Sequence, residues 1–402
     1  MKYLFIDYGA THIKSCIYDK EKDKFSKFQK NKCPENLHKQ PRHEISIDTI
    51  TKITQRIINN ASFDAVYICS QMHGFCLLSP EGHLSDYISW KDETGEIFPH
   101  PEFKKKTGLT PRKGLPVFNI GTTAKRLGFE GYRVLTLPEA VLYLVGSFYN
   151  KTHVTMACGL GVYDINNREI IPEMTNVLHG SPVFNKVVCD IEVAGTISKD
   201  KKEKPVYTPV GDMQCALYGV GLGKGQVSVN LGTGSQVSVL SKRVDERVDN
   251  RVFFDDCFLN TKTHIPSGRA IECYVKFLES VSPNKKFWEE VRKYTENEIL
   301  ESDLEVGLSV FGSDSGGLIS NIRETNFTVD SLQKSLINSY VRQYRKYIDL
   351  FSGDEIILSG GVPQNCPVIK RLFEKVYNRK ISMFISSVDE TILGLKRLTQ
   401  ER

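Results

Sequence analysis

Cysteine pairs at metal-ligand spacing are missing from this chain of 402 residues. Its ten cysteines stand singly, with no C-x-x-C, and Cys69, Cys158 and Cys273 lie inside apolar runs. A zinc ribbon and a disulfide framework are therefore excluded, and the pattern suits reduced, buried thiols in a cytoplasmic protein. No apolar run approaches the length of a membrane span, and the chain opens directly on a strand-like segment rather than a signal segment, so no membrane partner is expected. Low-complexity tracts are absent. So is G-x-x-x-x-G-K-[ST], which excludes a P-loop. The net charge of +5 is spread thinly, with short basic clusters only at Lys104-Lys105-Lys106 and residues 199–204. These read as solvated loops, and no nucleic-acid partner is expected. The length suffices for two domains, each with its own core.

What is present is a set of acidic and glycine-rich segments in a fixed order. The first is Asp7-Tyr8-Gly9-Ala10-Thr11-His12-Ile13-Lys14. The second is Gly211-Asp212-Met213-Gln214, followed by Asn230-Leu231-Gly232-Thr233-Gly234-Ser235. The third is Ser359-Gly360-Gly361-Val362-Pro363-Gln364-Asn365. Each glycine group follows or sits within a strand-like run, where the backbone needs room for a phosphate to approach its N–H groups. An acid beside such a turn reaches phosphate through Mg²⁺ rather than directly. Two phosphate turns and two acids point to a nucleotide in a cleft between two halves.

Periodicity predicts a buried strand over 2–7 and a returning strand over 13–18 around the Gly9 turn. Isoleucines 47, 50, 53 and 57 predict a helix over 47–60. Further strands are expected at 65–69 and 355–358, and a second hairpin at 227–231 and 236–240. Helices are expected at 138–145, 331–351, 367–377 and 390–398. Both halves thus begin with a strand–turn–strand unit. They divide at residues 1–206 and 207–402, and the charged stretch 199–204, ending before Pro205, suits the linker.

In order along nearly its whole length the chain resembles the FGGY family of carbohydrate kinases. The segment Asp7 to Lys14 is similar to that family's first phosphate motif. Gln71-Met72-His73-Gly74 is similar to its sugar motif, and Trp90 with Asp92 to the W-x-D that follows. Thr155-Met156-Ala157 with Gly161-Val162-Tyr163-Asp164-Ile165, Gly211-Asp212-Met213-Gln214, residues 230–236, Ser359-Gly360-Gly361 with Asn365, and Glu390-Thr391-Ile392-Leu393-Gly394 resemble the later motifs. The resemblance implies an α/β protein of two actin/hexokinase-like (ribonuclease H-like) ATPase domains, with a nucleotide and sugar cleft between them.

On that likeness Asp212 is the candidate catalytic base, although Gly-Asp before an apolar run is also a helix N-cap pattern. Asp7 is the candidate Mg²⁺ acid, acting through water. Gly9, Thr11, Gly232, Thr233, Gly234, Gly360, Gly361 and Asn365 are candidates for ATP. Lys14 reaches either phosphate or solvent. Gln71, Met72, His73, Trp90, Asp92 and Gln214 form the candidate sugar site, an aromatic face combined with amide and carboxylate groups. Lys91, Glu93 and Thr94 depart from the family's residues around W-x-D, and Ala10 stands where many members have Thr.

The expected activity is transfer of phosphate from Mg·ATP to the terminal primary hydroxyl of a ketose. Sedoheptulose comes first, and xylulose or another pentulose or polyol is the alternative. The partners are then a sugar and ATP, with the protein a monomer or homodimer. A silent sugar sensor and a chaperone- or filament-type ATPase are the competing classes, the latter disfavoured by Gln71-Met72-His73-Gly74 and Gly211-Asp212-Met213-Gln214.

Overall fold

The computed structural model describes residues 1–311 and 316–400. Two compact units emerge. The first comprises Met1–Gly221, Lys242–Leu259 and the segment from Val388 onward; the second comprises Leu222–Ser241 and Asn260–Ser387.

The sheet of the first unit runs in the order Lys24–Lys32, His12–Asp19, Lys2–Tyr8, Ala65–Ser70, Lys202–Tyr207, Val193–Lys199, Ser147–Phe148, with Val210–Gly211 also pairing to Ala65–Ser70. Lys2–Tyr8 pairs antiparallel with His12–Asp19 and parallel with Ala65–Ser70. Side chains alternate across a strand. Leu4, Ile6 and Tyr8 therefore join one core with Ile50, Ile57 and Val141. Tyr3 and Phe5 join another with Tyr67, Leu395 and Leu398. Asp7 shares the parity of Tyr3 and Phe5, which turns its carboxylate toward the C-terminal helix Glu390–Leu398. Helix Ile47–Asn60 starts where Ser46 accepts the Thr49 N–H at 3.2 Å, and it buries Ile47, Ile50 and Ile57 of the predicted stripe, with Ile53 half-buried beside them.

The second unit repeats the opening. Gln226–Leu231 pairs antiparallel with Ser235–Ser241 and parallel with Glu355–Ser359, and Lys380–Met383 follows in parallel. Outside the hairpin lies Phe258–Ile265. The run Phe258–Ile265, Ser235–Ser241, Gln226–Leu231, Glu355–Ser359 repeats the order Lys24–Lys32, His12–Asp19, Lys2–Tyr8, Ala65–Ser70, in keeping with the internal symmetry read from the sequence.

Three expectations about local structure need correction. The stretch 199–204 is no linker: Val193–Lys199 and Lys202–Tyr207 form a hairpin, turning at Asp200 and Lys201 with φ of 52° and 60°. Two positive φ values make a tight hairpin turn that Asn-Gly would have announced and Asp-Lys did not. The helix expected over 331–351 is two, Val329–Arg342 and Arg345–Ile348. Cys273 is exposed, as is Cys189, whereas the other eight cysteines are buried. The expected division at 206/207 falls inside the first compact unit, so helix Asp212–Val220 lies in that unit.

Candidate active site

Parallel strands of the first unit end together. Tyr8 is level with Ser70, and Ser70 with Gly211. At about 4.8 Å per strand, Tyr8 and Gly211 therefore stand about 10 Å apart across the strand ends, with Asp7 and Asp212 their chain neighbours. The Asp7 field is felt at Asp212.

Asp7 is buried. Its Oδ2 accepts the Thr391 hydroxyl at 2.9 Å and lies 3.4 Å from Lys14 Nζ. Its Oδ1 is buried with no protein partner. Burial raises its pKa, against Lys14 and Thr391. Lys14 also reaches Asp389 at 3.0 Å. Burial would lower its pKa, but the two carboxylates more than offset this and raise it. Lys14 is thus the counter-ion of Asp7 rather than a loose surface charge. Thr391 is delivered by close helix contact. Gly394 and Gly219 face the partner helix, where an added Cβ would sit 2.0 Å from the Cys215 carbonyl oxygen and 2.1 Å from that of Glu390.

Asp212 is the first residue of helix Asp212–Val220, and Gly211 is its N-cap. The capping role that the sequence left open does not hold. The carboxylate instead accepts the Met213 N–H at 2.8 Å. Burial, then the Asp7 charge, push its pKa up to about 7, against the Met213 N–H and Arg251.

A buried chain of hydrogen bonds holds this corner. The Gly211 N–H donates to Thr155 Oγ1 at 3.0 Å. That hydroxyl donates to His153 Nδ1 at 2.7 Å, and His153 Nε2–H donates to the Cys189 carbonyl at 2.9 Å. Burial lowers His153 to about 4, so the ring stays neutral and one tautomer serves both bonds.

Gln71, Met72 and His73 follow strand Ala65–Ser70. The Gln71 N–H donates to the Tyr8 carbonyl at 2.9 Å, while both amide atoms of its buried side chain lack a protein partner. Met72 packs on Gly211, where an added Cβ would sit 2.5 Å from its Sδ. His73 has φ 61°. Its Nδ1–H donates to the Gly159 carbonyl at 2.8 Å, and its Nε2 accepts from Arg251 Nη2 at 3.4 Å. Gln214 is buried; its Nε2 donates to the Val252 carbonyl at 3.2 Å, and its Oε1 has no protein partner.

Trp90 is half-buried, with Lys91 Nζ 5.4 Å from its ring centroid. The buried Asp92 carboxylate joins its own loop to the segment before strand Glu44–Ile45: it accepts the His43 N–H at 2.7 Å, the Thr94 N–H at 3.0 Å and the Thr94 hydroxyl. Thr94, one of the departures from the family pattern, therefore supports Asp92.

The glycine turns of the second unit line a cavity of about 710 Å³. Gly232, Thr233, Gly361 and Asn365 meet there, together with Trp288 and Arg292, which the sequence reading did not single out. Gly234 and Gly360 are not lining residues. The Gly232 and Thr233 carbonyls accept the Gly268 and Arg269 N–H groups, both at 3.0 Å, which seats the turn on helix Gly268–Val281. Gly360 has φ +92°, and a Cβ there would lie 2.6 Å from the Leu231 carbonyl oxygen, so only glycine fits. Arg292 donates to the Asn365 carbonyl at 2.9 and 3.2 Å. In the first unit Gly9 and Thr11 form the open turn between its first two strands, closed by a Gly9 N–H to His12 carbonyl bond of 3.1 Å.

Among the described residues no cluster of three or more His, Cys, Asp or Glu side chains could hold a metal by itself. A Mg²⁺ ion carried largely by water and phosphate asks for no such cluster, and the unpartnered Oδ1 of Asp7 suits one oxygen of its shell. No helix among the described residues is long and apolar enough to cross a membrane.

No known protein-family model matches the sequence, and no curated protein matches it. Solved structures do match. Xylulose kinase from Lactobacillus acidophilus aligns over 100% of this chain and 89% of its own, at 14% identity and a TM-score of 0.85. Gluconate kinase from the same organism aligns over 99% and 89%, at 14% identity and 0.85. Plasmodium falciparum glycerol kinase with ADP aligns over 98% and 88%, at 15% identity and 0.84. The chain has the two-domain α/β fold of these carbohydrate kinases.

Proposed function

We propose that this protein transfers phosphate from Mg·ATP to a primary hydroxyl of a sugar or polyol. The observation that carries the proposal is Asp212. It is a carboxyl held near pKa 7 at the end of parallel strands and facing the field of a second buried carboxylate. A base poised near neutrality can accept the proton of an attacking hydroxyl. Phosphoryl transfer otherwise depends on positioning and charge stabilisation.

In this reading Gly211, held by Thr155, fixes Asp212 beside the acceptor hydroxyl. Asp7 would hold the metal through water, and Mg²⁺ would supply charge neutralisation at the phosphates. Gly9, Thr11 and Lys14 are assigned to the phosphates, as are Gly232, Thr233 and Gly234. The cavity beside Gly361 and Asn365 is assigned to the nucleoside, and Gly360 keeps that turn close to Leu231. Gln71, Met72, His73 and Gln214 are assigned to the acceptor, with Trp90 at its edge and Asp92 supporting the Trp90 loop. The two-domain division, sugar site with the first phosphate turn and nucleoside site with the second, follows the same assignment.

A ketose acceptor is favoured by Gln71-Met72-His73-Gly74. Sedoheptulose rests on the likeness of Gly232-Thr233-Gly234-Ser235-Gln236 and the segment after Gly361. Xylulose is supported equally by the solved xylulose kinase. The test is a screen of C5 to C7 ketoses, polyols and aldonates for ADP release with Mg·ATP. The proposal expects one class to stimulate turnover strongly, and it fails if none does.

A further inference from the structure

Arg251 belongs to no motif, yet it is among the largest fully buried side chains. It sits on strand Asp249–Val252, which is pinned on both sides. The Asn250 N–H donates to the Gly108 carbonyl at 2.7 Å, and the Val252 carbonyl accepts from Gln214. Nothing about that placement is slack, but the guanidinium's own contacts are. Its Nη2 lies 3.4 Å from His73 Nε2 and 3.9 Å from Asp249 Oδ2. Its Nε and Nη1 are buried with no hydrogen-bond partner.

The charge is also incompletely met. Asp249 spends Oδ1 on the Thr110 N–H at 2.9 Å and the Thr110 hydroxyl at 2.7 Å. Its Oδ2 is 3.9 Å from both Arg112 and Arg251, so two cations share one carboxylate at long range. Buried cations ordinarily have hydrogen-bonded partners, and leaving their donors unmet is costly. Two residues before His73, Gln71 presents an amide with both polar atoms unpartnered, and Gln214, hydrogen-bonded to the Val252 carbonyl, has an unpartnered Oε1. Donors and acceptors without protein partners thus gather around the residues assigned to the acceptor.

We propose that Arg251 is a specificity-determining residue whose Nε–H and Nη1–H groups donate to oxygen atoms of the acceptor substrate, alongside the Gln71 amide. The ligand chemistry is a run of oxygen acceptors, supplied either by adjacent hydroxyls of a neutral sugar or by the carboxylate of a sugar acid. The contact to His73 orients the guanidinium before the substrate arrives. This inference rests on the sugar-kinase reading and adds the residue that selects the acceptor.

The test uses the purified full-length chain and measures binding without turnover. Calorimetry with neutral ketoses, polyols and aldonates is run on the wild type, Arg251→Met and Arg251→Lys, with a non-hydrolysable ATP analogue as the second ligand. Hydrogen bonds from a charged donor set the expected size of the effect. Both variants should lose roughly ten- to a hundred-fold in acceptor affinity, with ATP-analogue affinity unchanged. A larger loss on aldonates than on neutral sugars assigns the carboxylate source, and an equal loss assigns the hydroxyls. Arg251→Met removes an incompletely neutralised buried cation, so it should fold, and Arg251→Lys keeps the charge while removing the fork. Unchanged acceptor affinity in both variants overturns the proposal, whatever happens to their melting temperatures. If no polyhydroxy compound binds the wild type, the proposal is also overturned. ADP release, measured separately, decides whether the kinase reading falls with it.

Discussion

Replacing Asp212 by Asn should raise stability at pH 8 while removing activity. In the folded chain the Asp212 carboxyl titrates near 7, because of burial first and the Asp7 carboxylate second. Unfolded, it titrates near its ordinary ~3.9. Between those values the folded state holds a proton that the unfolded state has released, so stability falls as pH rises. The penalty begins near pH 4 and is complete above the folded value. At ~1.36 kcal/mol per pH unit it cannot exceed about 4 kcal/mol, and because Asp212 keeps part of its surface on solvent, about 2 kcal/mol is the working figure. Asparagine keeps the shape and never ionises. Urea unfolding of both proteins from pH 4 to 8 should show the variant's advantage growing by about 2 kcal/mol. An advantage flat across that range, or a variant less stable at pH 8, would refute the reasoning. Loss of the base should lower kcat by ~10²–10⁴ with ATP affinity little changed.

Thr155→Ala strips the acceptor from the buried Gly211 N–H, costing about 1–3 kcal/mol of stability. It should lower kcat more than it raises the acceptor KM, and Thr155→Ser should restore both; equal behaviour of the two variants would remove the positioning role. Asp7→Ala should raise the Mg²⁺ concentration needed for half-maximal turnover and leave acceptor binding intact, as read by metal titration. Gly360→Ala forces a positive-φ alanine against the Leu231 carbonyl. It should cost about 1–3 kcal/mol in urea unfolding and weaken nucleotide binding more than acceptor binding.

The strand–turn–strand openings were legible because a buried run followed by glycine specifies them locally, as at Lys2–Tyr8 and Gln226–Leu231. So were the isoleucine helix and the C-terminal helix. The hairpin at Asp200 and Lys201 was not, since ordinary side chains adopt its left-handed turn at a cost that only the surrounding sheet offsets. The site divides in the same way. Asp7, Asp212 and the glycine turns carry local signals. His153, Thr391, Asp389 and Arg251 act through partners 36 to 384 residues away in sequence, and no spacing rule relates them. Arg251 carries no motif at all, and only its unmet donors mark it. Asp92 shows the converse, because a motif residue with a local signal also accepts the backbone N–H of His43, 49 residues away.

The measurement that bears most directly on the account is ADP release from Mg·ATP by the wild type and Asp212→Asn, each with and without a ketose acceptor. The account predicts slow release without acceptor, strong stimulation by acceptor in the wild type, and stimulation lost in Asp212→Asn. Release equally fast with and without every acceptor, or unchanged stimulation in Asp212→Asn, would contradict it.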